Sequence, residues 1–265
     1  MAGRKSKESV LANVCAENIC LKHKLINPRY LRAGGDVCKA YHAGEQTFAY
    51  VKTHLGLSLN ESLVDVGCGD GRVAGAFARN GFKGRYLGFD INKDRISECK
   101  RLFAEEDNFN FEWLDVFHSY YNPEGIEAPE TFSYPCNNAS ADAFFLNSVF
   151  SHMKLSVIRR HLAELRRCVK DRGKIWMTMF VIDKYVRENP DILHWRFDIP
   201  YEEGYTAIPD KPEGAIAFDG ERIVAAINET GFDIVRYIPG YWKTLRTSLD
   251  QHRQDIYVLT PKDHG

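Results

Sequence analysis

Val64-Asp65-Val66-Gly67-Cys68-Gly69-Asp70-Gly71-Arg72 decides the reading of this chain. An apolar run gives way to three alternating glycines and then to Arg72-Val73-Ala74, so a strand leaves through a tight turn into a helix. Glycine tolerates φ > 0 and lets a ligand approach the backbone closely. Free N–H groups at the start of the helix attract carboxylate or phosphate. The alternative is a strand-to-helix turn with no ligand, but three alternating glycines in this setting favour a binding turn.

Outward from this turn, short apolar runs alternate with helical patterns from residue 61 to about 180, as in βαβ units built on a parallel sheet. Strands are expected at 62–66, 85–89, 109–114, 141–146 and 174–180, with two more at 232–238 and 255–260. Helices are expected at 72–79, 93–103, 155–169 and 222–230. In the third of these, Leu155, Ile158, Leu162, Leu165 and Val169 form one apolar stripe at helical spacing, and Gly173 is expected to stop the helix. The fold class is α/β: a Rossmann-like, seven-stranded, mostly parallel sheet with helices on both faces.

Residues 1–60 read as an N-terminal helical cover for one side of the sheet, and 61–265 as the main domain. A lid insertion is expected at about 181–217, where Pro190, Pro200, Pro209 and Pro212 interrupt any long regular element. Long loops in compact domains often bind or enclose a ligand, so Trp195, Tyr201 and Tyr205 either touch substrate or pack the loop down.

With 35 Lys+Arg against 36 Asp+Glu the net charge is -1, so no whole-molecule field draws the chain to nucleic acid or an anionic membrane. Arg4-Lys5-Ser6-Lys7 reads as a solvated, frayed terminus rather than a binding arm, being short and followed by no apolar targeting stretch. No apolar run approaches the roughly 20 residues of a membrane helix, and a soluble, cytoplasmic protein is expected. Cys15, Cys20, Cys38, Cys68, Cys99, Cys136 and Cys168 show neither a metal-ligand spacing nor a disulfide framework; reduced thiols and no metal are expected.

Asp90 closes the second strand about 20 residues past the glycines, where a carboxylate can accept both ribose hydroxyl hydrogens. That spacing serves S-adenosylmethionine (SAM) and NAD alike. Asp65, at the end of the first strand, is placed to meet an ammonium group, and Asp115, at the end of the third, to meet an adenine amino group. NAD carries no ammonium, so the three acids together point to SAM, although each alone could be a helix cap or loop carboxylate.

At these residues the chain resembles the class I SAM-dependent methyltransferases, over nearly all of 61–180. Within that class it is similar to a bacterial group with a GCGxGR turn, here Gly67 to Arg72, and an SVFxHM segment, here Ser148-Val149-Phe150-Ser151-His152-Met153 preceded by Asn147. Tyr121-Asn122-Pro123-Glu124-Gly125, Pro212-Glu213-Gly214 and Gln254-Asp255 also fit. The resemblance implies SAM as cofactor, with Gly67, Cys68, Gly69 and Arg72 along its methionyl end and Asn147 near the sulfonium. Asp90 and Ile91 would hold ribose and adenine, with Asp115 and Val116 at the adenine edge. Lys170-Asp171-Arg172-Gly173 departs from the usual proline and paired glycines. Asn147-Ser148-Val149 replaces the Pro-Pro turn of amino-directed DNA methyltransferases, which counts against base amines as acceptors.

His152, just past the fourth strand, is the candidate general base, histidine being the side chain best suited to take a hydroxyl proton near neutrality. The other reading is a capping or packing histidine at the start of the following helix. His118, Tyr120, His194, Trp195, Tyr241 and Trp242 are weaker pocket candidates. The expected reaction is methyl transfer to a hydroxyl of a small molecule or saccharide, with nucleic acid a poor partner and the oligomeric state open. Rival readings are a catalytically inactive SAM-binding regulatory or scaffold module and an NAD(P)-dependent oxidoreductase.

Overall fold

The computed structural model describes residues 37–190, 195–244 and 252–263. Residues 1–36 of the expected N-terminal cover, with Arg4, Lys5, Lys7, Cys15 and Cys20, lie outside the described residues, as does His194.

Helix α1 (Val37–Tyr50) continues into a wider turn at Val51–Leu55. There follow β1 (Leu63–Val66), α2 (Arg72–Arg79), β2 (Tyr86–Asp90), α3 (Lys93–Leu102), β3 (Phe109–Trp113), β4 (Ala141–Leu146), α4 (Leu155–Cys168) and β5 (Val169–Ile182). The second half adds α5 (Lys184–Glu188), β6 (Ile199–Tyr201), β7 (Gly204–Thr206), β8 (Ile216–Asp219), α6 (Gly220–Glu229), β9 (Phe232–Ile238) and β10 (Asp255–Pro261).

Strands β3-β2-β1-β4-β5 run parallel in that order, with β10 antiparallel to β5 and β9 antiparallel to β10. These are the seven expected strands. The sheet nevertheless has ten, because β5 runs on past β4 and offers an edge at Phe180–Ile182 to β8. β7 pairs with β8 and β6 with β7, both antiparallel. The prolines of 181–217 thus break the segment into strands of three or four residues rather than abolishing regular structure.

Gly173 does not end the preceding helix, which stops at Cys168; it lies inside β5. A Cβ there would stand 2.5 Å from Val169 Cγ2 and 3.0 Å from Asp142 O, so the missing side chain serves close approach to the start of β4.

Period-two alternation splits the core between the two faces of the sheet. Val64, Val66, Phe144, Leu146, Ile175 and Met177 face one side, where the α4 stripe and Ile223, Ala226 and Ile227 of α6 cover them. Leu63, Phe145 and Trp176 face the other, under Ala40 of α1, Phe77 of α2 and Ile96 of α3. Each such buried side chain contributes roughly 1.5–3 kcal/mol. A third cluster joins Phe180, Phe197 and Trp242, with Trp195 stacked on Phe180 at 5.8 Å between ring centroids. Among the described residues no helix is long and apolar enough to cross a membrane.

Candidate active site

The carboxyl ends of β1, β2, β3 and β4 open into a cavity of about 510 Å³. Strand order reverses between β1 and β4, and ligands of open α/β sheets bind at such a switch point. The glycine turn forms one wall. Gly67, Gly69 and Gly71 all have positive φ, at +68°, +55° and +72°, so each sits where an L side chain is strained. A Cβ on Gly67 would also lie 2.8 Å from Val149 Cγ2. Gly67→Ala is therefore expected to cost about 1–3 kcal/mol of stability, read as a lower urea midpoint; an unchanged midpoint would mean that the turn tolerates a side chain.

Asp90 fixes this turn. Its Oδ2 accepts from the Gly69 N–H at 2.8 Å and its Oδ1 from the Asn92 N–H at 2.8 Å. Asp90 therefore steadies the turn and lines the cavity at the same time. Ile91 and Val116 supply apolar surface beside it.

Nine of the eleven residues singled out in the sequence line this cavity: Gly67, Cys68, Gly69, Arg72, Asp90, Ile91, Val116, Asn147 and His152. Asp65 and Asp115 are set back from its wall. Strand alternation puts Asp65 on the face opposite Val64 and Val66. There it is 2% exposed and accepts a hydrogen bond from the Tyr86 hydroxyl. Burial pushes its carboxyl up to about 7 despite that bond. Asp115 Oδ1 accepts from Asn122 Nδ2 at 3.3 Å, within the loop that follows β3.

His152 sits on a 3-10 turn, Phe150–His152, just past β4. Its Nδ1 is 3.0 Å from the Glu213 carbonyl oxygen. A carbonyl only accepts, so Nδ1 carries the proton and Nε2 is the basic nitrogen of the neutral ring. His118 braces the turn: its Nε2 donates to the His152 carbonyl at 2.9 Å, while its Nδ1 accepts from the N–H groups of Tyr120 and Tyr121. The Glu213 carboxylate accepts from the Ser119 and Tyr201 hydroxyls. Ser148, with φ +58°, donates its N–H to Thr178 Oγ1 at 2.8 Å, and this strained bend aims Val149 at Gly67.

The segment 181–217 contributes Glu213 to the cavity wall. Trp195 and Tyr205 pack against the third cluster and Trp242 is buried in it, its indole N–H donating to Asp255. Sequence reading named Val116 and His118 in the post-β3 loop but missed Phe117, Ser119 and Phe132, which that loop also carries to the cavity, and His161 on α4. The loop has prolines and no periodicity to follow, and His161 occupies an apolar-stripe position that reads as core.

A cleft at the switch point of an open α/β sheet, with a glycine turn and a carboxylate at the end of β2, defines a nucleoside-cofactor protein of the Rossmann-like type. The groups present fit SAM: a side-chain-free turn at a helix start, a carboxylate for the ribose and apolar surface for a flat base. Residues 64–177 match the family model described as Methyltransferase domain. Over these residues the chain is similar to methyltransferase domains.

Solved structures share the fold. A protein from Pyrococcus horikoshii OT3, PH0226, matches at 15% identity and TM-score 0.57 over 89% of this chain and 96% of its own. The 1,6-didemethyltoxoflavin-N1-methyltransferase of Burkholderia thailandensis, with 1,6-didemethyltoxoflavin and S-adenosylhomocysteine bound, matches at 14% and 0.55 over 99% and 93%. Geranyl diphosphate C-methyltransferase of Streptomyces coelicolor A3(2), with Mg2+, geranyl diphosphate and S-adenosylhomocysteine, matches at 14% and 0.52 over 84% and 81%.

Proposed function

We propose that the chain transfers the methyl group of SAM to a hydroxyl of a small molecule or saccharide, with His152 as general base. The observation that carries this reading is the Nδ1–H contact of His152 with the Glu213 carbonyl, which leaves Nε2 as the proton-accepting nitrogen beside the cavity. In the same proposal Gly67, Cys68, Gly69 and Arg72 hold the methionyl end, Asn147 lies near the sulfonium, and Asp90, Ile91 and Val116 hold ribose and adenine. Asp65 and Asp115 act from behind the wall, through Tyr86 and Asn122, to keep the first strand and the post-β3 loop in place.

SAM supplies a methyl on a positively charged sulfur, an activated leaving group. The protein therefore mainly has to hold the acceptor oxygen in line at about 3 Å. Nε2 of His152 takes the hydroxyl proton as the oxygen gains the methyl. The imidazolium so formed is held in register by the Glu213 carbonyl on its other nitrogen, and the proton then passes to solvent. The two carbonyl contacts, one to the ring and one from His118 to the His152 backbone, fix its direction before substrate arrives.

The test is labelled-methyl transfer across hydroxylated small molecules, saccharides and RNA. His152→Ala is expected to slow transfer to a hydroxyl acceptor about a hundredfold while leaving affinity for S-adenosylhomocysteine unchanged. Equal turnover in the variant would return His152 to a packing role.

A further inference from the structure

Past His152 the cavity continues along one face of α4, where Val157 and, one turn later, His161 line it opposite Phe132. His161 is 5% exposed. Its ring meets Phe132 at 4.7 Å and Phe150 edge-on at 5.6 Å. Its Nδ1 is 2.6 Å from the Tyr134 hydroxyl. Tyr134 is itself buried, and this contact is the one side-chain bond its hydroxyl makes among the described residues. A phenol left with its hydrogen unpaired in an apolar site would lose the full hydrogen bond, so the phenol donates and Nδ1 accepts.

The imidazole proton is then on Nε2. That nitrogen has no hydrogen-bond partner among the described residues, and it is not one of their fully enclosed unpaired atoms, which are Ser151 Oγ and Trp176 Nε1. It therefore opens into the cavity as a donor. Burial holds the ring neutral, with its pKa pushed down to about 3, so it offers a dipole rather than a charge.

We propose that His161 is a specificity residue whose Nε2–H hydrogen-bonds a lone-pair atom, a carbonyl oxygen or ring nitrogen, on a flat apolar part of the methyl acceptor at the deep end of the cavity. The inference rests on the methyl-transfer reading above and names the acceptor class within it. The acceptor and not the nucleoside is assigned here because His161 shares a wall with His152, on the β4 side. The ribose carboxylate Asp90 and the apolar Ile91 and Val116 stand at the ends of β2 and β3. A buried donor of this kind discriminates against a ligand lacking the matching acceptor, because such a ligand strips the donor of water and returns nothing.

The test uses the full chain loaded with S-adenosylhomocysteine and a matched pair of probes, 1-indanone and indane, which differ in one carbonyl. The parent is expected to bind 1-indanone about tenfold more tightly. His161→Phe is expected to abolish that preference while keeping S-adenosylhomocysteine affinity. In the parent, the 15N-1H signal of the His161 ring is expected to shift with 1-indanone and not with indane, a readout that needs no variant to fold.

Equal affinity of the two probes for the parent would overturn the proposal, as would a preference that survives in His161→Phe. A tenfold loss of S-adenosylhomocysteine binding in a folded His161→Phe protein would overturn it too, by giving the nitrogen to the nucleoside. Failure of the parent to bind S-adenosylhomocysteine at all would instead sink the methyl-transfer reading.

Discussion

Asp90→Ala is expected to weaken binding of S-adenosylhomocysteine about a thousandfold, roughly 4 kcal/mol. Two losses combine. The ribose hydroxyls lose a charged acceptor, and hydrogen bonds to charged groups contribute about 1.5–3 kcal/mol. The Gly69 and Asn92 N–H groups lose the carboxylate that holds the glycine turn, so the turn no longer arrives preorganised. Calorimetric titration of parent and variant measures the difference. Asp90→Asn, which keeps the shape but not the charge, is expected to fall between them; an alanine variant within threefold of the parent would remove Asp90 from the cofactor site.

The second large effect is a pair of opposed pH dependences in stability. Asp65 is raised from 3.8 to about 7 in the folded chain, first by burial. Its folded state holds a proton that the unfolded state releases. Its contribution is fully present below pH 4 and is lost as pH rises towards 7. His161 is lowered from 6.5 to about 3, again chiefly by burial. Its unfolded state binds a proton that the folded state refuses, so its contribution is present above pH 6.5 and is lost as pH falls. Between pH 4 and 6.5 the two slopes have opposite sign and largely cancel.

Single variants separate them. At 1.36 kcal/mol per pH unit per proton, Asp65→Asn is expected to gain about 4 kcal/mol relative to the parent between pH 4 and 7. His161→Phe is expected to gain about 3 kcal/mol relative to the parent as pH falls from 6.5 to 4. Urea unfolding at a series of pH values reads both. Parallel profiles for parent and variants would mean that neither side chain is held in the protonation state that its burial imposes.

The glycine turn, the β2 carboxylate and the strand periodicity of 62–66, 85–89 and 141–146 are local signals, which is why the parallel sheet was legible before any coordinates, as were nine residues that the structure brings to one cavity. Asp65 shows where local reading stops. Its position at the end of β1 next to the glycines suggested a cofactor contact, but a strand shows alternate residues to opposite faces, and the face is assigned by what packs there. Tyr86 and the α2 side claimed Asp65. Gly173 misled in the same way: a glycine after a helical stripe reads as a stop, whereas here it relieves a clash between β5 and the start of β4.

By itself the sequence determined the α/β class, the order of seven of the ten strands and of the helices between them, the glycine turn and the carboxylate that steadies it, because those depend on periodicity and on φ angles only glycine adopts readily. Tertiary structure alone decided which nitrogens of His118, His152 and His161 carry protons and which of them face the cavity. Those choices rest on partners 27 to 61 residues away, at Tyr134, His152 and Glu213, and a hydrogen bond between distant segments leaves no local pattern to read.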